Sequence, residues 1–165
     1  MKKISFAKNW KCYVTGDRDK VWNVEIPHDA MQLDPKAENS PSGVNLGWYA
    51  ARDYTYEKEF FAPEEWQEQR VLLEFEGVYR KAAVYLNNQK IGYQEYGYSG
   101  FSVDLTEQLI FGRSNIIRVE VINHDQPNSR WYSGTGIYRP VWLNLIPADH
   151  IVPEKTRITT VEVLR

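Results

Sequence analysis

The stretch Asn115-Ile116-Ile117-Arg118-Val119-Glu120-Val121-Ile122-Asn123 decides the fold. Ile117, Val119 and Val121 alternate with Arg118 and Glu120, so an extended chain would be apolar on one face and charged on the other. A period of two built from β-branched residues marks a strand buried on one side. The pattern recurs outward from this stretch. Val71, Leu73 and Phe75 share a face within residues 70–76. Tyr54, Tyr56, Lys58 and Phe60 oppose Thr55, Glu57 and Glu59 within residues 54–61, and Ile137, Val141, Leu143 and Leu145 line up within residues 137–145. Residues 84–86 and 91–93 flank Asn87-Asn88, a dipeptide that tolerates positive φ, and together read as a hairpin. Helical signals are thin: one turn at residues 104–109, capped by Asp104 or Thr106, and one at Pro63-Glu64-Glu65-Trp66. Residues 34–43, with two Pro, Asn, Ser and Gly, read as a long exposed loop. About eight or nine short strands with turn signals predict an all-β chain, an antiparallel β-sandwich.

Composition sets the outer bounds. The chain has 165 residues, of which 42% are hydrophobic and 25% charged, with 6 Trp, 11 Tyr and 6 Phe. This is enough for one domain with a real core and too aromatic for a disordered chain. A net charge of −2 argues against binding to nucleic acid, which calls for a basic surface. No apolar run approaches the roughly 18 residues of a membrane helix, so no membrane partner is expected. Met1-Lys2-Lys3 resembles the start of a signal peptide, but Lys8, Asn9 and Lys11 interrupt any apolar stretch, and the cytoplasm is the expected compartment. Cys12 is the single cysteine, which excludes a disulfide framework and a cysteine-based zinc site, and leaves it as a packing residue or a partly exposed thiol.

A search for reaction chemistry returns little. Glycoside hydrolysis calls for two carboxyl groups, ~5–5.5 Å apart for retention or ~6.5–9.5 Å for inversion. Glu57 with Glu59 and Glu74 with Glu76 have strand spacing, but alternating charge on a strand is the signature of a solvated face. Glu64-Glu65 suits the start of a helical turn. His28, His124 and His150 share no metal-ligand spacing, and no metal or cofactor site is expected. No nucleophile elbow or phosphate loop occurs, and Gly134-Thr135-Gly136 precedes a strand, so it reads as a turn.

Residues 123–139 are different: Asn-His-Asp-Gln-Pro-Asn-Ser-Arg-Trp-Tyr-Ser-Gly-Thr-Gly-Ile-Tyr-Arg. Here a strand ends in a polar, aromatic, glycine-punctuated loop. The faces of Trp131 and Tyr132 suit the apolar C–H faces of sugars, while Arg130 and Asp125 suit hydroxyl groups. The same aromatic pair would equally serve as structural anchors of a corner.

The run from Ser129 to Leu143, Ser-Arg-Trp-Tyr-Ser-Gly-Thr-Gly-Ile-Tyr-Arg-Pro-Val-Trp-Leu, resembles the end of the N-terminal sugar-binding domain of glycoside hydrolase family 2, in its β-galactosidase branch. Further segments match in the family's order: Ile26-Pro27-His28-Asp29, then Gly47-Trp48-Tyr49 as a strand, then Glu74-Phe75-Glu76-Gly77-Val78, then Val84-Tyr85-Leu86-Asn87-Asn88, then residues 101–105 and 115–121. The resemblance covers roughly residues 9–148. It implies a galactose-binding-like jelly roll, followed in the family by an immunoglobulin-like domain and a catalytic (β/α)₈ barrel that carries both catalytic Glu residues. Residues 1–148 are then the sugar-binding domain. Residues 149–165 would be a linker and, with Arg157-Ile158-Thr159-Thr160, the first strand of the immunoglobulin-like domain.

What the resemblance implies for function is a non-catalytic domain. It would rim the active site of the barrel and help bind a terminal β-galactoside, with the immunoglobulin-like and barrel domains as its partners. Asn39 matches a sugar-contacting Asn, and Arg130, Trp131, Tyr132 and Asp125 complete the expected contacts. Three departures are visible. Ala30 stands where the family has Trp. Asn87-Asn88 replaces the frequent Asn-Gly. Arg130 occupies the position of an Asp that binds sugar and sodium, so that cation site is not carried over. Two other readings stand beside this one, a free-standing carbohydrate-binding module and a purely structural domain. β-Glucuronidase and β-mannosidase are further possible parents.

Overall fold

Ten strands form among the described residues: β1 Lys2–Ser5, β2 Trp10–Val14, β3 Trp22–Val24, β4 Tyr54–Ala62, β5 Gln69–Phe75, β6 Lys81–Leu86, β7 Gln89–Gln94, β8 Phe101–Asp104, β9 Arg113–Ile122 and β10 Val141–Pro147. The structure, a computed structural model, describes residues 1–41, 43–50, 52–125, 134–147, 149–151 and 157–160. Three single turns of 3₁₀ helix lie at Ala30–Leu33, Gly43–Leu46 and Glu64–Trp66, and no α-helix occurs among the described residues.

Every ladder is antiparallel. One sheet has the order β1-β10-β5-β8 and the other β3-β2-β4-β9-β6-β7. The two sheets face each other as a β-sandwich, and the side chains that the alternation points inward fill the space between them. Val71, Leu73 and Phe75 from one sheet and Ile117, Val119 and Val121 from the other are fully buried. Each stabilises the fold by about 1.5–3 kcal/mol relative to exposure. Trp10, Cys12, Tyr54, Tyr56 and Ile137 join the same continuous core, so Cys12 is a packing residue. Met31 and Leu46, with Tyr49 against them, form a small second cluster beneath the long loop between β3 and β4.

Some expectations are corrected. Gly47-Trp48-Tyr49 is not a strand: Gly47 and Trp48 have φ of 60° and 68°, and only Tyr49 makes an isolated bridge, to Lys36. The strand expected at 137–145 begins at Val141. Residues before it are diverted because Gly136 bridges Tyr79 and the Tyr138 hydroxyl donates to the Gly97 carbonyl at 2.9 Å. The turn at 104–109 forms without becoming a helix, with the Thr106 amide donating to Asp104 Oδ1 at 3.0 Å. Of the expected immunoglobulin-like strand, residues 157–160 are exposed, and its remaining residues fall outside the described ones, so that expectation stands neither corrected nor met.

Candidate functional site

Strand register gathers the interesting loops at one end of the sandwich. Tyr54, the first residue of β4, pairs with Val14 at the end of β2 and with Val121 near the end of β9. Lys81, the first residue of β6, pairs with Ile122, and Ala82 pairs with Gln94 at the end of β7. The connections 15–21, 34–53, 76–80, 95–100 and 123–140 therefore emerge together. Asn39 and Asp125 belong to two of them. Arg130, Trp131 and Tyr132 lie outside the described residues.

Both stems of the 123–136 connection are pinned. At the first stem, Asp53 Oδ1 accepts the amides of Asn123 at 2.7 Å and His124 at 3.0 Å, while Asp53 Oδ2 meets His124 Nδ1 at 2.6 Å. The buried Asn123 amide reaches across to the second stem, donating to Thr135 Oγ1 at 2.6 Å and to the Gly134 carbonyl at 3.3 Å. The Pro-His-Asp segment straps that second stem. His28 N donates to Ile137 O at 2.8 Å, Ala30 N donates to Thr135 O at 2.6 Å, and Asp29 Oδ1 accepts the amides of Thr135 at 2.9 Å and Met31 at 3.1 Å. Ala30 is fully buried in this strap.

Beneath the strap, His28 Nδ1 lies 2.8 Å from the Tyr56 hydroxyl. Burial lowers the His28 pKa and raises that of Tyr56 well above its ordinary value. Both shifts favour the neutral forms, an imidazole and a phenol sharing a hydrogen bond, and Cys12 beside them is pushed up to about 12 by burial. These groups support the site's floor and are not poised for acid–base work.

Asp125 is half-buried and already partnered. Its Oδ2 lies 2.7 Å from Lys81 Nζ and 3.8 Å from Arg80 Nη1, and Oδ1 lies 3.8 Å from His124 Nε2. The hydrogen bond from Lys81 holds its carboxyl below the usual range. Asp125 is thus an acceptor beside the Lys81 and Arg80 cations, suited to hydroxyl groups and unsuited to the role of a general acid near neutral pH. Asn39 is exposed on the 34–53 loop. That loop is closed at its base by Asp34, whose Oδ1 accepts from Arg52 Nε at 2.6 Å and Tyr54 Oη at 2.5 Å.

Sequence reasoning missed several residues at this end. Tyr96 and Tyr98 are 62% and 45% exposed, with rings 5.8 Å apart, and Tyr98 leans on Tyr79 at 5.3 Å. Tyr96-Gly97-Tyr98, a glycine-spaced aromatic pair between strands, was the available signal. Trp48, 42% exposed, was absorbed into an expected strand. Three of the four strand-spaced carboxylates have partners. Glu57 pairs with Arg18 at 2.9 Å, Glu74 with Lys3 at 3.0 Å and Asn144 at 2.8 Å, and Glu76 accepts from Trp142 Nε1 at 2.7 Å. Glu59 is exposed.

Residues 39–147 match the family model for the glycosyl hydrolases family 2 sugar binding domain. The chain is 40% identical over 147 residues to the beta-galactosidase BoGH2A of Bacteroides ovatus, covering 88% of this chain and 17% of that protein. It is 30% identical over 143 residues to a putative beta-glucuronidase of Formosa agariphila, covering 86% of this chain and 14% of that one. A crystal structure of a beta-glycosidase from Bacteroides vulgatus superposes with a TM-score of 0.76 at 33% identity, over 88% of this chain and 20% of that chain. The chain spans less than a fifth of the length of those two sequence relatives. With its model match covering most of the sandwich, the chain belongs to the family of glycosyl hydrolase family 2 sugar-binding domains.

Proposed function

We propose that this chain is the non-catalytic front domain of a longer family 2 glycosidase. Its loop end rims the active site of a barrel and helps hold a terminal β-galactoside. The observation that carries the reading is the pinned 123–136 connection. A loop held at both stems by Asp53, Asn123 and the 28–30 strap, at an end shared with the Asn39 loop, is built to present what lies between its stems. Between them the sequence offers Arg130, Trp131 and Tyr132. A Trp face and fixed Arg donors orient a sugar, and such contacts accelerate a reaction when they strengthen in the transition state. In the longer enzyme, Trp131→Ala or Arg130→Ala should lower kcat/KM by roughly 10–1,000-fold, about 1.4–4 kcal/mol, with little change in melting temperature. Variants that unfold the domain while the surviving folded enzyme keeps full activity would make the segment a structural corner.

A second reading replaces the galactoside with a β-glucuronide. It is favoured by the relatives named as beta-glucuronidases and by Arg130, a cation where a uronate carboxylate could pair. Paired rates on nitrophenyl β-galactoside and β-glucuronide separate the two, and loss of only the glucuronide activity in Arg130→Ala would favour the second.

A further inference from the structure

Trp48 stands out as an exposed tryptophan on strained backbone. Its φ of 68° lies in the left-handed region, which bulky side chains avoid, and 42% of it faces solvent. The loop around it is nonetheless well made. Trp48 N donates to Gly43 O at 2.9 Å, Ala37 N donates to Trp48 O at 3.0 Å, Ser40 Oγ donates to the Tyr49 carbonyl, and Met31 and Leu46 pack beneath. The indole edge rests over Gly43, where an added Cβ would lie 3.6 Å from it. Beside the ring is an open cleft of about 600 Å³ lined by Lys36, Ala37, Glu38 and Trp48. Its lining thus combines a flat apolar ring with a lysine, whose ammonium lies 5.1 Å from the Tyr49 ring centroid, and a glutamate.

That combination fits a pyranose ring, which has an apolar C–H face and a rim of hydroxyls. We infer that Trp48, Lys36 and Glu38 form an outer carbohydrate subsite that takes a sugar unit beyond the terminal residue of an oligosaccharide. The inference rests on the reading of the loop end as a sugar-binding rim and extends it to chain length. The 34–53 loop leaves the sandwich at the same end as the two stems of the 123–136 connection, Asn123 and Gly134.

The test uses the ¹⁵N-labelled chain, titrated with methyl β-D-galactopyranoside and with β-1,4-galactotetraose. The tetraose should shift the Trp48 indole N–H resonance and bind at least ten-fold more tightly than the monosaccharide. Trp48→Gly should abolish that gain while leaving the melting temperature unchanged or raised, because glycine accepts the left-handed φ without strain. Trp48→Phe should restore part of the gain. If the tetraose shifts resonances of residues 123–136 but not Trp48, the outer subsite is wrong and the rim stands. If neither sugar shifts any resonance at this end, the outer subsite is overturned, while the rim reading is decided separately by the Trp131→Ala and Arg130→Ala variants of the longer enzyme. If Trp48→Gly unfolds the chain while Trp48→Phe binds tetraose no better than the monosaccharide, the tryptophan is a structural residue and the inference is overturned.

Discussion

Gly136 is where the strap and the core press hardest on one residue. Its φ is 136°, and a Cβ built there would lie 2.3 Å from the Tyr56 hydroxyl and 2.7 Å from the His28 carbonyl. Neither neighbour can move freely: Tyr56 is buried between the sheets, and the His28 amide is bonded to Ile137. Gly136→Ala should therefore cost about 2–4 kcal/mol, read as a lower urea midpoint. The His28–Tyr56 pair adds a pH dependence. His28 has a pKa below its ordinary 6.5 because burial disfavours the imidazolium. Between the folded value and 6.5 the unfolded chain binds more protons than the folded chain, so stability rises with pH across that window. The contribution is complete above pH 6.5 and is lost as pH falls toward the folded pKa. His28→Gln keeps a side chain able to hydrogen-bond the Tyr56 hydroxyl but cannot titrate. Its unfolding free energy should fall less than that of the parent between pH 6.5 and 5, and parallel slopes would remove His28 from the explanation.

The β6–β7 hairpin shows how much an element owes to local residues. Asn87 and Asn88 have φ of 49° and 68°, the paired left-handed conformation of a tight two-residue turn. The two asparagines are not equivalent. Asn87 Nδ2 donates to Asn115 Oδ1 at 2.8 Å and Asn87 Oδ1 accepts the Ile116 amide at 2.9 Å, tying the turn to β9. Asn88 has only its backbone conformation to contribute, so Asn88→Gly should stabilise by about 0.5–1 kcal/mol. Asn87→Gly, which leaves the Ile116 amide without its acceptor, should destabilise by about 1–3 kcal/mol. Chemical denaturation of both variants checks the opposite signs. This hairpin, β5 and β9 were legible in the sequence because one face of each is apolar and the turn residues carry their own φ preference. β1, β2 and β3 were not, because Lys2–Ser5, Trp10–Val14 and Trp22–Val24 are too short to show a period and depend on partners far along the chain, such as Leu145 for Lys2 and Tyr56 for Cys12. Trp48 misled for a related reason: its sequence neighbours favour a strand, and the left-handed turn that replaces it comes from the packing of Met31, Leu46 and Tyr49.

Across the whole molecule the candidate site divides along the same line. The residues between the stems are proposed from sequence alone, because Arg130, Trp131 and Tyr132 suggest sugar contact by type. The pins that hold the stems could not be read in advance, because Asp53, Asn123 and Asp29 act over sequence separations of 70 and 106 residues. Those pins also bear on whether the chain alone can hydrolyse a glycoside. A general acid must be protonated near neutral pH, which requires a raised pKa, and a second carboxylate must stand opposite it. The carboxylates at the stems are otherwise engaged. Asp29 accepts two backbone amides, Asp53 accepts two amides and faces His124, and Asp125 is held low by its hydrogen bond from Lys81. Residues 126–133 contain no Asp or Glu at all. An open rim also lacks the enclosing pocket that offsets the entropy of association. The purified chain should accordingly release no nitrophenol from either nitrophenyl β-galactoside or nitrophenyl β-glucuronide. It should bind methyl β-D-galactopyranoside with a Kd on the order of millimolar or weaker, about −4 kcal/mol. Turnover that survives repurification and tracks the chain through a second column would show that a catalytic pair exists within these 165 residues. A micromolar Kd by calorimetry would instead mark a self-sufficient carbohydrate-binding module, since only a site complete within this sandwich could reach that affinity without a neighbouring domain.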